Sequence, residues 1–342
     1  MTTNMETTKL RDVPIPASRV GLGTWAMGGV QWGGTDDDAS VRTIHAAIDR
    51  GINVIDTAPA YGFGHSEEVV GRAIAEQGGR DRVVLATKLG LERHGDALYR
   101  NSSRAQIMRE VEESLERLRT DYIDLYQVHW PDPRTPYEQT AEALLELKRA
   151  GKIRAIGVSN YSIAAMEQFS TVTPLATAQP PLNLFERESQ AAVLPWCAAH
   201  GIGTLTYGAL CRGLLTGIID KATKFEGDDL RKIDPKFQPP RLAQYLEAAS
   251  LLERYARQRY DKSLLAFAVR WVLDQRGVSV ALWGARHPHE LDPVHEVMGW
   301  KLDAEALAYV DETIAHAVRD PVGSEFMAPP ESAPEAQPAA PA

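Results

Sequence analysis

Cysteine is nearly absent from this 342-residue chain. Cys197 and Cys211 are its only two, too few for a disulfide framework, and no Cys/His cluster has the spacing of a zinc site. Both absences fit a reducing, cytoplasmic setting with no metal centre. Long hydrophobic runs are missing as well. No stretch reaches the roughly 18 apolar residues of a membrane span. Met1 to Arg19 are polar and Pro-punctuated, without the apolar core of about 7–15 residues that marks a secretory signal. Positive charge is in deficit: 37 Lys and Arg against 46 Asp and Glu leave a net charge of −9. Such a surface repels phosphate backbones and anionic lipid, so neither nucleic acid nor a membrane is the expected partner. There is also no Pro/Ser/Gly linker near the middle and no solenoid repeat.

What is present is the material of a large folded core, 44% apolar and 24% charged residues. At about 150 residues per domain the length suggests two domains, although α/β barrels run to about 250 or more residues as one unit. Short β-branched runs alternate with amphipathic segments along most of the chain, as parallel sheets require. The predicted strands are Arg19 to Leu22, Asn53 to Asp56, Val83 to Thr87, Ile123 to Val128, Arg154 to Val158, Ala176 to Gln179, Gly203 to Tyr207 and Val278 to Trp283. Helical spacing joins Val41, Ile44, Ala47 and Ile48, capped by Asp37 or Asp38, and Ile107, Val111, Leu115 and Leu118, capped by Ser102 or Ser103. Gly51, Gly151 and Gly201 each close a helix shortly before a strand. This grammar predicts one α/β unit, a (β/α)8 TIM barrel over residues 1–326. Leu214 to Arg241 is a charged, Pro-containing excursion after the seventh strand. Residues 327–342, MAPPESAPEAQPAAPA, read as a Pro/Ala-rich disordered tail.

Barrel enzymes carry their chemistry at strand C-termini and in the loops that follow. Asp56 ends the second strand with Tyr61 five residues on, Lys88 ends the third, and His129 ends the fourth. Singly, such residues serve as turn caps, packing or satisfied core groups. Ionisable side chains at three consecutive strand ends point to catalysis.

The segment from Asp56 through Thr57-Ala58-Pro59-Ala60-Tyr61 to Glu68, with Ala86-Thr87-Lys88 and Tyr126-Gln127-Val128-His129-Trp130-Pro131, resembles the aldo-keto reductase family. Gly23-Thr24-Trp25, Ile156-Gly157-Val158-Ser159-Asn160, Gln179 with Asn183, and Tyr207 followed by Gly213-Leu214-Leu215-Thr216-Gly217 extend the resemblance over roughly residues 10 to 325. The last motif resembles the bacterial branch that covers its cofactor with a loop after strand seven. The resemblance implies an NAD(P)H-dependent oxidoreductase that reduces an aldehyde or ketone to the alcohol. Tyr61 would be the proton donor, Lys88 would favour its phenolate, Asp56 would compensate Lys88, and His129 would orient the carbonyl.

Cofactor binding would not use a Rossmann fingerprint, because Gly62-Phe63-Gly64 lacks the third glycine. By resemblance, Ser159, Asn160 and Gln179 hold the nicotinamide carboxamide, although Ser159-Asn160 also reads as a simple helix N-cap. Tyr207 stacks on the ring, and Asp56 with Gly23, Thr24 and Trp25 holds the ribose. The pyrophosphate falls to the small-residue turn Gly208, Ala209, Leu210, Cys211, Arg212 and Gly213, which departs from the family's Ser-Pro-Leu-Gly. At the adenine end, Gly284, Ala285 and Arg286 match the family and Arg286 suits a 2′-phosphate. Glu290 stands where Gln or Arg is expected and suits ribose hydroxyls instead. NADPH is favoured on this reading, with NADH or dual use open.

Trp25, Met27, Trp32, Phe63 and Trp130 would rim the substrate pocket. Phe326 and Met327 would fold over the barrel mouth or a partner subunit. The substrate is a small carbonyl compound or its alcohol, and monomer and homo-oligomer are equally compatible with the sequence. Two other readings stand beside this one: a cofactor-binding regulatory module with little turnover, and a Schiff-base aldolase using Lys88 as nucleophile.

Overall fold

Each predicted β-branched run becomes a strand. The computed structural model describes residues 4–332, and among these an N-terminal hairpin of β1 (Thr7–Thr8) and β2 (Ala17–Ser18) comes first. Then follow β3 (Val20–Gly23), β4 (Val54–Asp56), β5 (Val84–Leu89) and a second hairpin, β6 (Leu91–His94) with β7 (Ala97–Arg100). The remaining strands are β8 (Ile123–Val128), β9 (Ile153–Ser159), β10 (Thr177–Gln179), β11 (Gly203–Thr206) and β12 (Val280–Gly284). Strands β3, β4, β5, β8, β9, β10, β11 and β12 pair in this order, all in parallel, and β12 closes onto β3. The sequence placed all eight to within two residues at either end, and the result is the (β/α)8 barrel it implied.

Parallel neighbours need crossovers, and helices provide them. These are α1 (Asp37–Asp49), α2 (His65–Gln77), α3 (Arg104–Leu118), α4 (Tyr137–Arg149), α5 (Ile163–Ser170), α6 (Glu188–Ala191), α7 (Val193–Ala199), α8 (Arg241–Tyr260), α9 (Leu264–Asp274) and α10 (Ala304–Ala317). Ser103 caps α3 as expected, accepting from the Gln106 N–H, whereas α1 is capped one residue earlier than expected, by Asp36. Gly51, Gly151 and Gly201 all adopt positive φ, the conformation an αL helix stop demands.

Alternating strand residues divide the core in two. Val54, Val84, Ala86, Leu125, Leu205 and Val280 fill the barrel interior, and Leu10 plugs its lower end. Leu22, Ile55, Leu85 and Ile156 face outward into the larger layer beneath the helices. The lower interior is therefore solid, and chemistry is confined to the upper, C-terminal face.

Two segments cover that face. The excursion after β11 reaches back to the loop after β3, where the Asp228 carboxylate accepts from the N–H groups of Gln31 (2.7 Å) and Gly33 (3.0 Å) and the Leu230 N–H donates to the Gln31 carbonyl (2.9 Å). The second corrects the expected tail boundary at Met327. Glu325–Met327 form a 3-10 turn, and the Arg100 Nε and N–H donate to the carbonyls of Pro329 (3.0 Å) and Pro330 (3.2 Å). Residues 327–331 are thus docked, and proline shortens the list of conformations they give up in docking. The rest of the expected tail, 333–342, lies outside the described residues.

Candidate active site

The four strand-end residues converge at the mouth. Lys88 is fully buried, with its Nζ 2.5 Å from Asp56 Oδ1, 3.0 Å from the Thr57 carbonyl and 3.1 Å from Tyr61 Oη. His129 meets the Tyr61 ring edge to face at 5.8 Å, and Trp25 stacks on Tyr61 at 6.1 Å. Tyr61 and His129 keep partial exposure while Asp56 and Lys88 form the floor beneath them. A buried ammonium would be costly alone; here a carboxylate, a carbonyl and a phenol surround it.

Backbone contact places Tyr61. A Cβ on Gly28 would stand 2.5 Å from the Tyr61 carbonyl carbon, so the loops after β3 and β4 touch main chain to main chain. Gly62 takes a positive φ of 65° at the same contact. Beneath it Ser66 Oγ donates to the Thr24 carbonyl (3.0 Å) and accepts from Thr57 Oγ1 (3.0 Å). Buried Glu67 accepts from Thr87 Oγ1 (2.6 Å) and Arg117 Nε (2.7 Å), which ties α2 to the residue before Lys88.

Electrostatics set the resting protonation. Burial opposes the charge on Lys88, but the Asp56 carboxylate and Tyr61 outweigh it and hold the ammonium above its ordinary pKa. Burial pushes the Tyr61 phenol up, with the Lys88 cation pulling the other way. The net direction is opposite to the one Lys88 alone would give, and it leaves Tyr61 as a protonated acid. Burial, then Lys88, pushes His129 well below the usual imidazole range, so its ring is neutral and carries one N–H. With its Nζ engaged by Asp56, the Thr57 carbonyl and Tyr61, Lys88 does not present the free amine that a Schiff-base nucleophile needs.

A second polar cluster lies at the ends of β9, β10 and β11. Ser159 Oγ donates to the Gln179 carbonyl (2.8 Å), Asn160 Nδ2 donates to the His129 carbonyl (3.0 Å), and the Tyr207 hydroxyl donates to Asn160 Oδ1 (2.9 Å). The cap of α5 is Ser162, so Ser159-Asn160 is not the helix N-cap its sequence also allowed. Gln179 turns its amide N–H groups inward to Asp56 Oδ2 (2.9 Å) and Gln127 Oε1 (3.3 Å). Gly208, Cys211, Arg212 and Gly213 all have positive φ, a tight turn of the kind whose N–H groups can cradle an anion. The buried indole Nε1 of Trp32 has no acceptor among the described residues. These features suit a dinucleotide lying from Tyr207 across toward Gly284, Ala285 and Arg286.

Several sequence expectations need correction. Met27 is fully buried in the outer core and does not line a pocket. Phe63 lies under the Arg93 guanidinium (3.8 Å) and lines a separate cavity of about 260 Å³ with Glu92, Gln106, Glu110 and Arg117, not the space above Tyr61. Arg212 is no free cation for a pyrophosphate: it pairs with Glu186 (3.0 Å) and Asp234 (2.5 Å), and Lys236 completes a buried quartet through Glu186 (2.7 Å). Glu290 does not face outward to a ribose; its carboxylate accepts from the N–H groups of Arg286 (2.7 Å) and His287 (3.1 Å), capping the turn that follows. Arg286 reaches the Trp32 carbonyl (3.1 Å) under the excursion. Of the expected rim, Trp25 packs edge to face on Trp32 at 5.3 Å, and Trp130 lies 5.4 Å from the Arg100 guanidinium.

Phe326 and Met327 fold over the mouth, where Arg212 lies 5.3 Å from the Phe326 ring and donates to the Met327 Sδ (3.7 Å). From there the strap runs to Arg100, beyond β5. Strands β11 and β5 stand opposite one another in the ring, so residues 323–331 span the mouth. The sequence reading also missed Gln127, fully buried on β8, with its Nε2 3.3 Å from Asp56 Oδ2. Its position two residues before His129 on a barrel strand was the available signal.

Burial pushes the Cys197 and Cys211 thiols up, to about 11 and about 12, which leaves neither a nucleophile. No group of His, Cys, Asp and Glu among the described residues could hold a metal. No helix among them is long and apolar enough to cross a membrane.

Comparison with known proteins agrees with the geometry. Residues 19–315 match the model of the aldo/keto reductase family. The chain is 57% identical to the aldo-keto reductase YhdN of Bacillus subtilis strain 168, across 95% of this chain and 98% of that one. It is 36% identical to the NADH-specific methylglyoxal reductase of Escherichia coli K12, across 84% and 91%. Among solved structures it is similar to the glycerol dehydrogenase AKR11B4 from Gluconobacter oxydans, with a TM-score of 0.85 and 53% identity over 94% and 99% of the two chains.

Proposed function

The chain belongs to the aldo/keto reductase family, and on that premise we propose that Asp56, Tyr61, Lys88 and His129 are its catalytic groups, with Tyr61 the proton donor. The protein is an NAD(P)H-dependent oxidoreductase that reduces an aldehyde or ketone to the corresponding alcohol. One observation carries the assignment of residues: the Lys88 ammonium lies between the Asp56 carboxylate (2.5 Å) and the hydroxyl of a mouth-facing tyrosine (3.1 Å).

When bound, the reduced nicotinamide supplies the hydride. Everything else falls to side chains. Charge develops on the carbonyl oxygen and has to be met by donors already in place. The neutral His129 ring directs its N–H at that oxygen. Tyr61, protonated at rest, delivers its proton, and Lys88 steadies the phenolate that remains. Asp56 keeps the ammonium charged in the buried floor.

Ser159, Asn160 and Gln179 are assigned to the carboxamide, Tyr207 to the ring face, and Gly23, Thr24 and Trp25 with Asp56 to the ribose. The Gly208–Gly213 turn takes the pyrophosphate through its backbone. NADPH is the favoured cofactor, because Arg286 offers the cation a 2′-phosphate needs and Glu290, turned onto backbone N–H groups, does not oppose it. The substrate class is a short, polar carbonyl compound acting in the cytoplasm. Phe326 and Met327 of the strap lie by Arg212, Trp25 packs on both Tyr61 and Trp32, and two relatives bear the names of three-carbon compounds, glycerol and methylglyoxal.

The test is to mix purified protein with NADPH or NADH and a panel that runs from methylglyoxal, glyceraldehyde and dihydroxyacetone to bulky aromatic aldehydes, and to follow nicotinamide absorbance. NADPH consumption fastest on the three-carbon compounds is expected. Cofactor binding without consumption on any carbonyl would overturn the reading in favour of a regulatory module.

A further inference from the structure

We infer that Gln127 is a positioning residue of the reaction, one that holds the Asp56 carboxylate so that its other oxygen serves Lys88. This rests on the reading of Tyr61 as proton donor. Asp56 is buried and its two oxygens do separate work: Oδ1 faces Lys88 Nζ at 2.5 Å, while Oδ2 accepts from Gln127 Nε2 (3.3 Å) and Gln179 Nε2 (2.9 Å). Gln179 Nε2 also donates to Gln127 Oε1 (3.3 Å), which closes a triangle beneath the site.

The orientation of both amides follows from chemistry. A carboxylate only accepts hydrogen bonds, so each amide must turn its NH2 toward Asp56. Gln127 is the register partner of Lys88 across β5 and β8, and its other neighbour, on β9, is Gly157. A Cβ at Gly157 would stand 2.9 Å from the Gln127 Cγ, so a glycine there leaves the room the amide occupies. A dry interior does not favour an amide where an apolar chain of equal length would pack, unless the amide's hydrogen bonds are needed. Here they spread the negative charge of Asp56. Without Gln127 that charge would concentrate on Lys88, draw the ammonium toward Asp56, and loosen its hold on Tyr61 Oη. The phenol would then titrate at higher pH.

The experiment measures alcohol oxidation, which needs Tyr61 to accept a proton and so rises with pH. Gln127→Met keeps the length and removes the donors. Its kcat should fall by about tenfold and its rising limb should move up by about one pH unit, with cofactor Kd and substrate KM within about twofold of wild type. Gln127→Glu is the smaller change and guards against misfolding. Two carboxyls sharing one site retain a single proton, so this variant donates only while protonated and should lose activity at a pH where the wild type is still rising. Profiles of both variants that superimpose on wild type, with only a lower Tm, would overturn the inference. Tyr61→Phe is run alongside: if it retains turnover, the proton-donor reading fails; if it is inactive while the Gln127 profiles superimpose, only the positioning role fails.

Discussion

Gly28 and Gly62 meet main chain to main chain, and the hydroxyl of Tyr61 is aimed at Lys88 because they do. A methyl group at Gly28 would sit 2.7 Å from the Gly62 nitrogen as well as 2.5 Å from the Tyr61 carbonyl carbon. Gly28→Ala should therefore push the Tyr61 loop outward and lower kcat by about 10–100-fold, the cost of a small misplacement of a reacting group. Cofactor Kd, measured by fluorescence quenching, should stay near wild type. An unchanged kcat would mean that the loop slides without losing its aim.

The pH dependence of reduction follows from the two partly exposed groups. His129 is neutral across the working range, and Tyr61 is held above the ordinary phenol value, so between about pH 6 and 9 neither titrates. With Tyr61 as the proposed donor, reduction draws on its proton, and the rate should be flat over that window, falling only at higher pH; alcohol oxidation should rise instead. Tyr61→Phe should cost about 10²–10⁴ in kcat with cofactor affinity retained. A break in the reduction profile near pH 6.5 would mean that His129 carries charge after all.

Arg286→Leu tests the adenine end. If its guanidinium pairs with a 2′-phosphate, the Kd for NADPH should rise by about 10–100-fold while the Kd for NADH changes by about twofold or less. Equal weakening for both cofactors would assign Arg286 to bridging the Trp32 carbonyl instead.

Glu110 gives a stability prediction. Burial pushes its carboxyl up to about 8, with the Gly90 N–H (2.8 Å) opposing. Unfolded, the same group releases its proton in the ordinary carboxylate range. Between those values the folded state binds the extra proton, so stability falls as pH rises toward 8 and then levels off. Glu110→Gln keeps an acceptor for Gly90 and removes the penalty. It should raise Tm by about 3–6 °C at pH 9 and leave it unchanged at pH 4. Equal effects at both pH values would place the carboxylate in contact with water.

The barrel was legible because its signals are local. Strand runs, helix periods and the stops at Gly51, Gly151 and Gly201 each lie within one segment, and they agree with one another. The meeting of Asp56, Tyr61, Lys88 and His129 was legible because strand ends in a barrel share one face whatever the intervening loops do. What escaped depends on where a side chain points. Arg212 and Glu290 carry the right charges for a dinucleotide, but each is spent inside the protein on partners, Glu186 and Asp234 for one and two backbone N–H groups for the other. Met27 and Phe63 are apolar residues near the mouth whose direction no spacing rule encodes. The docking of Pro329 and Pro330 was hidden for a different reason: composition measures what a segment can bury, whereas Arg100 holds this one by its carbonyls.

That strap separates the roof of the chamber from the framework that holds its floor. Residues 323–331 belong to no barrel strand and touch the barrel only through side chains and loops such as Arg212, Lys236 and Arg100, so a cut between Val318 and Phe326 would release the roof while every strand, and the meeting of Asp56, Tyr61, Lys88 and His129, stayed in place.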